Sequence, residues 1–247
     1  MMEQMYHYTK VRERVWQIRE LENEFNEHMT LVQGDDLAIL FDTGSGNGQL
    51  REFVESVVKT PYIVINSHGH PDHILGDSEF DAIYAKKEEW DVLRYYAIQQ
   101  DEDYKLPMIR ELTVGQVFDL GGLHAKVIDL RGHTKGSIGL LLEEERLLLS
   151  GDAINETLWM FNYGVLPLSE FRKTLVRLKK LPFDTFLCGH SDEEKSKALV
   201  EAHLRNLEQL SVDPSTKQFI FGIETYASTY ELDGIQSTII FELKTLL

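Results

Sequence analysis

Apolar positions in this chain follow two periods, and each predicts its own kind of element. Val15 to Leu21, His28 to Gln33 and Leu37 to Phe41 read as three early strands. The third is apolar enough to be buried on both faces. Gly34-Asp35-Asp36 supplies the turn between the last two, and Asp42-Thr43-Gly44-Ser45-Gly46 ends the third in a tight loop. A helix is expected from about Gln49 to Val58, with Phe53, Val54, Val57 and Val58 on its apolar side. Further along, Ala82 to Ala85 reads as a short strand and Lys87 to Tyr95 as a helix. The polar stretch that follows, as far as Pro107, is either a lid carrying Tyr95, Tyr96 and Tyr104 or an ordinary surface helix with a loop.

In the second half, Val117 to Leu120 and His124 to Leu130 flank Gly121-Gly122 and read as a hairpin. Ser137 to Leu142, Leu147 to Ser150 and Thr185 to Gly189 are further strands. Between them, Asn155 to Gly164 is expected to be an aromatic-rich loop. Its Trp159, Met160 and Phe161 either pack beneath the loop or wall a pocket, and Tyr163 is a candidate to offer a hydroxyl to an oxyanion. A scaffold helix is expected from about Ser169 to Leu178 and another over Glu194 to Leu210, where His203 reads as a surface residue. Gln218 to Tyr226 and Gln236 to Leu243 suggest a terminal strand pair that closes a sheet, with Asp233-Gly234 near its turn.

Chemistry concentrates in Ile63 to Gly76, which reads Ile-Val-Ile-Asn-Ser-His-Gly-His-Pro-Asp-His-Ile-Leu-Gly. If the chain is still extended as it leaves the strand, His68 and His70 face the same side, because a strand repeats every two residues. Pro71 suits a first helical turn, which carries Asp72 and His73 back beside that pair. Imidazole and carboxylate together suit zinc, and also iron or manganese, better than magnesium or calcium. Their spacing meets the needs of a binuclear metal site. Asp42 admits two readings: a turn residue, or the favoured one, a carboxylate that orients a ligating histidine. Three later residues extend the set from strand ends: His133 between Gly132 and Gly136, Asp152 in Ser-Gly-Asp-Ala, and His190 in Cys-Gly-His-Ser. Five histidines and two carboxylates match two metals. Cys188, two residues before His190, reads as a small buried core residue.

Composition narrows the partners. Twenty-five basic against forty-one acidic side chains give a net charge of −16, which disfavours a nucleic-acid backbone as partner. A length of 247 residues fits one domain over 1–247. There is no apolar run long enough for a bilayer, and Met1 to Arg14 holds no apolar core of a signal peptide. A cytoplasmic protein without a membrane partner is therefore expected, and a single cysteine agrees with a reducing compartment.

Asp42, His68-Gly-His70-Pro-Asp72-His73, Gly132-His133-Thr134, Ser150-Gly151-Asp152 and Gly189-His190 together resemble the metallo-β-lactamase superfamily, over residues from about 28 to 192. The resemblance implies an α/β (α+β) four-layer αββα sandwich with metals at one edge. It also implies that His68, His70 and His133 hold one metal, that Asp72, His73 and His190 hold the other, and that Asp152 bridges them. The commonest antibiotic-hydrolysing members use a cysteine where this chain offers Asp152, so the match is closer to glyoxalase II-like thioesterases and lactonases. Flavodiiron reductases carry glutamate at the position of His70, and nucleases of the family add a domain for which this chain has no room.

The expected activity is hydrolysis of an ester, thioester or lactone-type bond in a small molecule by a hydroxide bridging two metals, with Asp72 and Asp152 as catalytic residues. Two divalent ions are expected, zinc first, with iron or manganese as alternatives. A mononuclear-iron sulfur dioxygenase, a phosphodiesterase and a non-enzymatic binding module of the same fold are the competing readings.

Overall fold

The computed structural model describes residues 5–21 and 26–247; of the segment read for a leader, Met1 to Gln4 lie outside the described residues. Seven strands form the first sheet, hydrogen-bonded in chain order: β1 (Tyr6–Arg12), β2 (Val15–Glu20), β3 (His28–Gln33), β4 (Ala38–Phe41), β5 (Tyr62–Ile65), β6 (Ala82–Lys86) and β7 (Met108–Leu112). The second sheet contains β8 (Val117–Asp119), β9 (His124–Asp129), β10 (Ile138–Leu142), β11 (Leu147–Gly151), β13 (Thr185–Cys188) and β14 (Lys195–Ser196). Their order is 14-13-11-10-9-8. β12 (Thr157–Met160) leaves that sheet and joins β15 (Gln218–Ile220), β16 (Ile223–Leu232) and β17 (Ile235–Phe241) in a third.

The layering follows from the apolar pattern. Leu140, Leu142, Leu147 and Leu149 face the first sheet, where they meet Val32, Ile39, Phe41 and Ile65. Leu141 and Leu148 alternate to the opposite face and meet a separate core. β10 and β11 are thus buried on both sides, as continuous apolar strands require. The first sheet's other face is covered by α1 (Leu50–Val57), α2 (Pro71–Ile74) and α3 (Trp90–Gln100). The second sheet's outer face meets α4 (Leu168–Leu178) and α5 (Ala198–Gln209). From α1, Leu50, Phe53 and Val54 enter the core, at roughly 1.5–3 kcal/mol for each side chain removed from water. Helices outside two facing sheets make the four-layer αββα arrangement.

Several local expectations need correction. Asn155 to Gly164 is not all loop: its centre is β12, running parallel to β17 with Trp159 opposite Ile240. The terminal strand pair builds this third sheet rather than extending either main one, and a turn at Phe221-Gly222 splits its first strand into β15 and β16. The helix expected from Glu194 begins at Ala198, after the short strand β14. Neither β1 nor β7 stands out in the sequence pattern. Both are edge strands, with Lys10 and Arg12 on one and Arg110 and Glu111 on the other, and charge on an edge suppresses further pairing. α3 continues to Gln100, and in the polar stretch beyond it the Tyr104 hydroxyl donates toward the Ile74 and Leu75 carbonyls at 3.0 and 2.8 Å. That tyrosine anchors the chain beneath α2 and is no part of a lid.

Candidate metal centre

Strand direction brings the candidate ligands to one edge. β4 and β5 run parallel, with Phe41 beside Ile65, so Asp42 and the histidine loop leave the first sheet together. In the second sheet β9 ends beside the start of β10, and β11 and β13 run parallel. His133, Asp152 and His190 therefore follow three strand ends on the same side. The Ile138 N–H donates to the Ser67 carbonyl at 2.9 Å and joins the two sheets at this edge.

Two groups of ligand atoms converge there. His68, His70 and His133 form one, and Asp72, His73, Asp152 and His190 the other, with the ligand atoms of each group within 4.8 Å of one another. β5 stops at Ile65, so His68 and His70 lie beyond the strand and do not continue it, yet their rings still lie 4.6 Å apart. Pro71 opens α2, and its short turn returns His73 to within 4.3 Å of His68, ring to ring.

In the first group, hydrogen bonds fix which nitrogen each histidine turns inward. Ser67 Oγ donates to Asp42 Oδ2 at 2.8 Å, so it must accept from His68 Nδ1 at 2.9 Å. That leaves His68 Nε2 bare. His70 Nε2 faces the Tyr163 carbonyl at 3.3 Å and His133 Nδ1 faces the Trp159 carbonyl at 3.0 Å. A carbonyl only accepts, so both of those nitrogens carry the proton. The remaining two, His70 Nδ1 and His133 Nε2, then point lone pairs at each other across 2.9 Å. Burial holds His70 below the usual histidine range, and burial with the neighbouring His70 pushes His133 down to about 3. His68, sealed among three other imidazoles, stays well below its ordinary value.

Carboxylates dominate the second group. Asp152 Oδ2 lies 3.0 Å from His190 Nε2 and 3.9 Å from His133 Nε2, and its Oδ1 lies 3.5 Å from His73 Nε2. It therefore touches both groups. Asp72 Oδ2 is 3.4 Å from His190 Nε2 and 3.6 Å from His73 Nε2. Burial opposes charge on His73, but Asp72, Asp152 and Asp42 hold its pKa well above normal. Burial likewise opposes charge on His190, and Asp152 pushes it up to about 9. Space here is tight: a Cβ at Gly189 would collide with Asp152 Oδ1 and the His73 ring.

The residues fit a metal. Among the described residues, His68 Nε2, His73 Nε2 and Asp152 Oδ1 are buried without a hydrogen-bond partner, the last two facing each other at 3.5 Å. Buried polar atoms go unpaired at a cost of about 1–3 kcal/mol each, and a cation is a partner for the bare His68 nitrogen and the Asp152 carboxylate and can take the place of the proton on His73. The lone pairs facing each other across 2.9 Å need one for the same reason.

Asp42 supports both groups from beneath. It accepts from the Ser67 N–H at 2.6 Å, the Ser67 hydroxyl at 2.8 Å and His73 Nδ1 at 3.0 Å, and thus orients one histidine of each group. Its φ of 68° is a left-handed geometry that aspartate tolerates, at a cost on the order of 1 kcal/mol. The aromatic segment also supports the site, through its backbone. Its carbonyls at Trp159 and Tyr163 orient His133 and His70, a role with no side-chain signature in the sequence. Met160 and Phe161 are buried packing residues, whereas Tyr163 is 47% exposed and stacks on Tyr95 at 4.1 Å.

His203 is not the surface residue that its helix position suggests. It is fully buried, with Nδ1 2.7 Å from Ser237 Oγ and Nε2 2.9 Å from the Asn155 carbonyl. The third sheet covers this side of α5, and His203 braces the chain three residues beyond Asp152. Cys188 is buried, and burial pushes its thiol up to about 12.

The model of the metallo-beta-lactamase superfamily matches residues 23–190. Among curated proteins, the chain is 25% identical over 200 residues to a hydroxyacylglutathione hydrolase of Pelagibacter ubique, covering 79% of this chain and 78% of that protein. It is 34% identical over 133 residues to a hydroxyacylglutathione hydrolase of Erythrobacter litoralis, covering 51% of this chain and about half, 47%, of that one. Among solved structures, a metallo-beta-lactamase from Pontibacter korlensis superposes with a TM-score of 0.65 at 19% identity, over 83% of this chain and 100% of the other.

Proposed function

This chain belongs to the metallo-beta-lactamase superfamily, and from that premise we propose that it is a hydrolase holding two divalent cations, zinc first among them, that cleaves a thioester, ester or lactone bond in a small molecule. One observation carries the reading: seven ligand atoms converge in two groups, with buried nitrogen and oxygen atoms left bare inside them. Cations held there supply Lewis acidity, which lowers the pKa of water toward neutrality and polarises a carbonyl oxygen.

His68, His70 and His133 hold one cation in this reading, Asp72, His73 and His190 the other, and Asp152 lies between them. Hydrogen bonds set the three buried imidazoles in advance, so no reorientation is needed when substrate arrives. Asp72 is partly open to solvent, with 22% of its side chain exposed. In this reading its Oδ2 faces the cation with His73 and His190, and its other oxygen would take a proton from the attacking water and return it to the leaving sulfur or oxygen. Tyr96 packs edge-on against His70 at 5.1 Å, and in this reading the exposed Tyr95 and Tyr163, stacked on each other next to it, form part of the rim that the substrate meets. The relatives named for an acyl group on glutathione bring thioesters to the front of the substrate list. A net charge of −16 argues against nucleic acid, and among the described residues no helix is long and apolar enough to cross a membrane.

The test is a panel of thioesters, esters, lactones and phosphodiesters run on metal-loaded protein, with His68→Ala as control. Turnover of an acyl substrate that disappears in the variant is expected. One iron per chain with oxygen uptake on a persulfide would contradict hydrolysis and point to a dioxygenase.

A further inference from the structure

Glu89 ends the turn that leads into α3 and is 1% exposed. An acid at a helix start ordinarily caps the helix, but the Glu89 side chain makes no capping bond. It turns instead toward two loops from different sheets. Oε1 accepts the Gly69 N–H at 2.9 Å, while Oε2 accepts the Gly136 N–H at 2.7 Å and the Thr134 hydroxyl at 2.8 Å. Gly69 separates His68 from His70, and Thr134 follows His133. The same carboxylate thus grips both loops that carry the first group of histidines. Among the described residues three donors and no acceptor face it, so hydrogen bonding favours the ionised carboxylate while burial pushes its pKa up to about 7. Gly136 makes the grip possible, since a Cβ there would run into Glu89 itself.

We propose that Glu89 is a positioning residue for the His68, His70 and His133 metal site, setting the distance between the histidine loop of the first sheet and that of the second. The inference rests on reading the two groups as metal sites. None of the Glu89 bonds reaches Asp72, His73, Asp152 or His190, so the effect belongs to one site alone.

The experiment is a zinc titration against a competing chelator, with the two binding steps assigned through His133→Ala and His190→Ala. In folded Glu89→Gln, whose amide turns a donor toward donors, the affinity of the first site should fall about 10–100-fold while the second keeps its wild-type value. Thr134→Val removes one of the three donors and leaves the carboxylate, and it should weaken the same site by a smaller factor. Unchanged first-site affinity in folded Glu89→Gln, or equal weakening of both sites, overturns the proposal. Should that variant fail to fold, unchanged first-site affinity in Thr134→Val does so. A wild-type chain that binds both zinc ions while Glu89→Gln matches it removes only this inference; a wild-type chain that binds none removes the metal-site reading as well.

Discussion

His68, His70 and His133 are almost sealed from solvent, and their outer nitrogens rest on a hydroxyl and two backbone carbonyls, all neutral. Asp72, His73, Asp152 and His190 form a more open group in which two carboxylates set the charge, with 22% of the Asp72 and His190 side chains exposed. On the proposed two-cation reading, the difference divides labour. A neutral, closed, pre-oriented group is suited to holding a cation without rearrangement. An open group with carboxylates suits the traffic of protons and leaving groups. Asp152 lies near histidines of both groups, and on the proposed hydrolase reading it couples the holding side to the reacting side.

Asp42 is where the comparison breaks most severely. Asp42→Asn keeps a residue that tolerates the left-handed backbone, but its amide opposes the Ser67 and His73 donors. Loss at both groups together is expected, on the order of 10–100-fold in metal affinity at each, and competition titration against a chelator measures it. Selective weakening of one group would show that Asp42 serves only that one.

A smaller effect separates the groups by pH. In the metal-free chain His190, pushed up to about 9 by Asp152 against the effect of burial, and His73, held well above normal, both carry protons at pH 7. A metal must displace them. Affinity of the second group should therefore rise with pH from 7 toward 9, by about tenfold per unit for each proton released. The first group should stay flat over that range, because burial keeps His68 and His133 neutral there. Parallel slopes for the two groups would contradict the division drawn above.

Much of the framework is legible in sequence because burial imposes a pattern. Leu147 to Gly151 and Ile138 to Leu142 are buried on both faces, so their apolar runs could hardly be anything but central strands. Edge strands carry no such constraint, which is why Tyr6–Arg12 and Met108–Leu112 escape notice. At the candidate metal centre, the candidate ligands announce themselves through histidine and aspartate after strand ends. Their supports do not. A backbone carbonyl, as at Trp159 and Tyr163, has no residue signature, and Glu89 is one acid among forty-one acidic residues. The burial of His203 is hidden from the sequence for a related reason: the third sheet, assembled from a strand that the aromatic segment disguises, turns that face of α5 inward.

The most direct test of the two-group account counts metal ions. Elemental analysis of zinc-loaded protein should give two equivalents per chain for the wild type, one for His133→Ala and one for His190→Ala, with turnover lost in both variants by a factor on the order of 10³ or more. A single equivalent in the wild type, or an unchanged count in either variant, would contradict it.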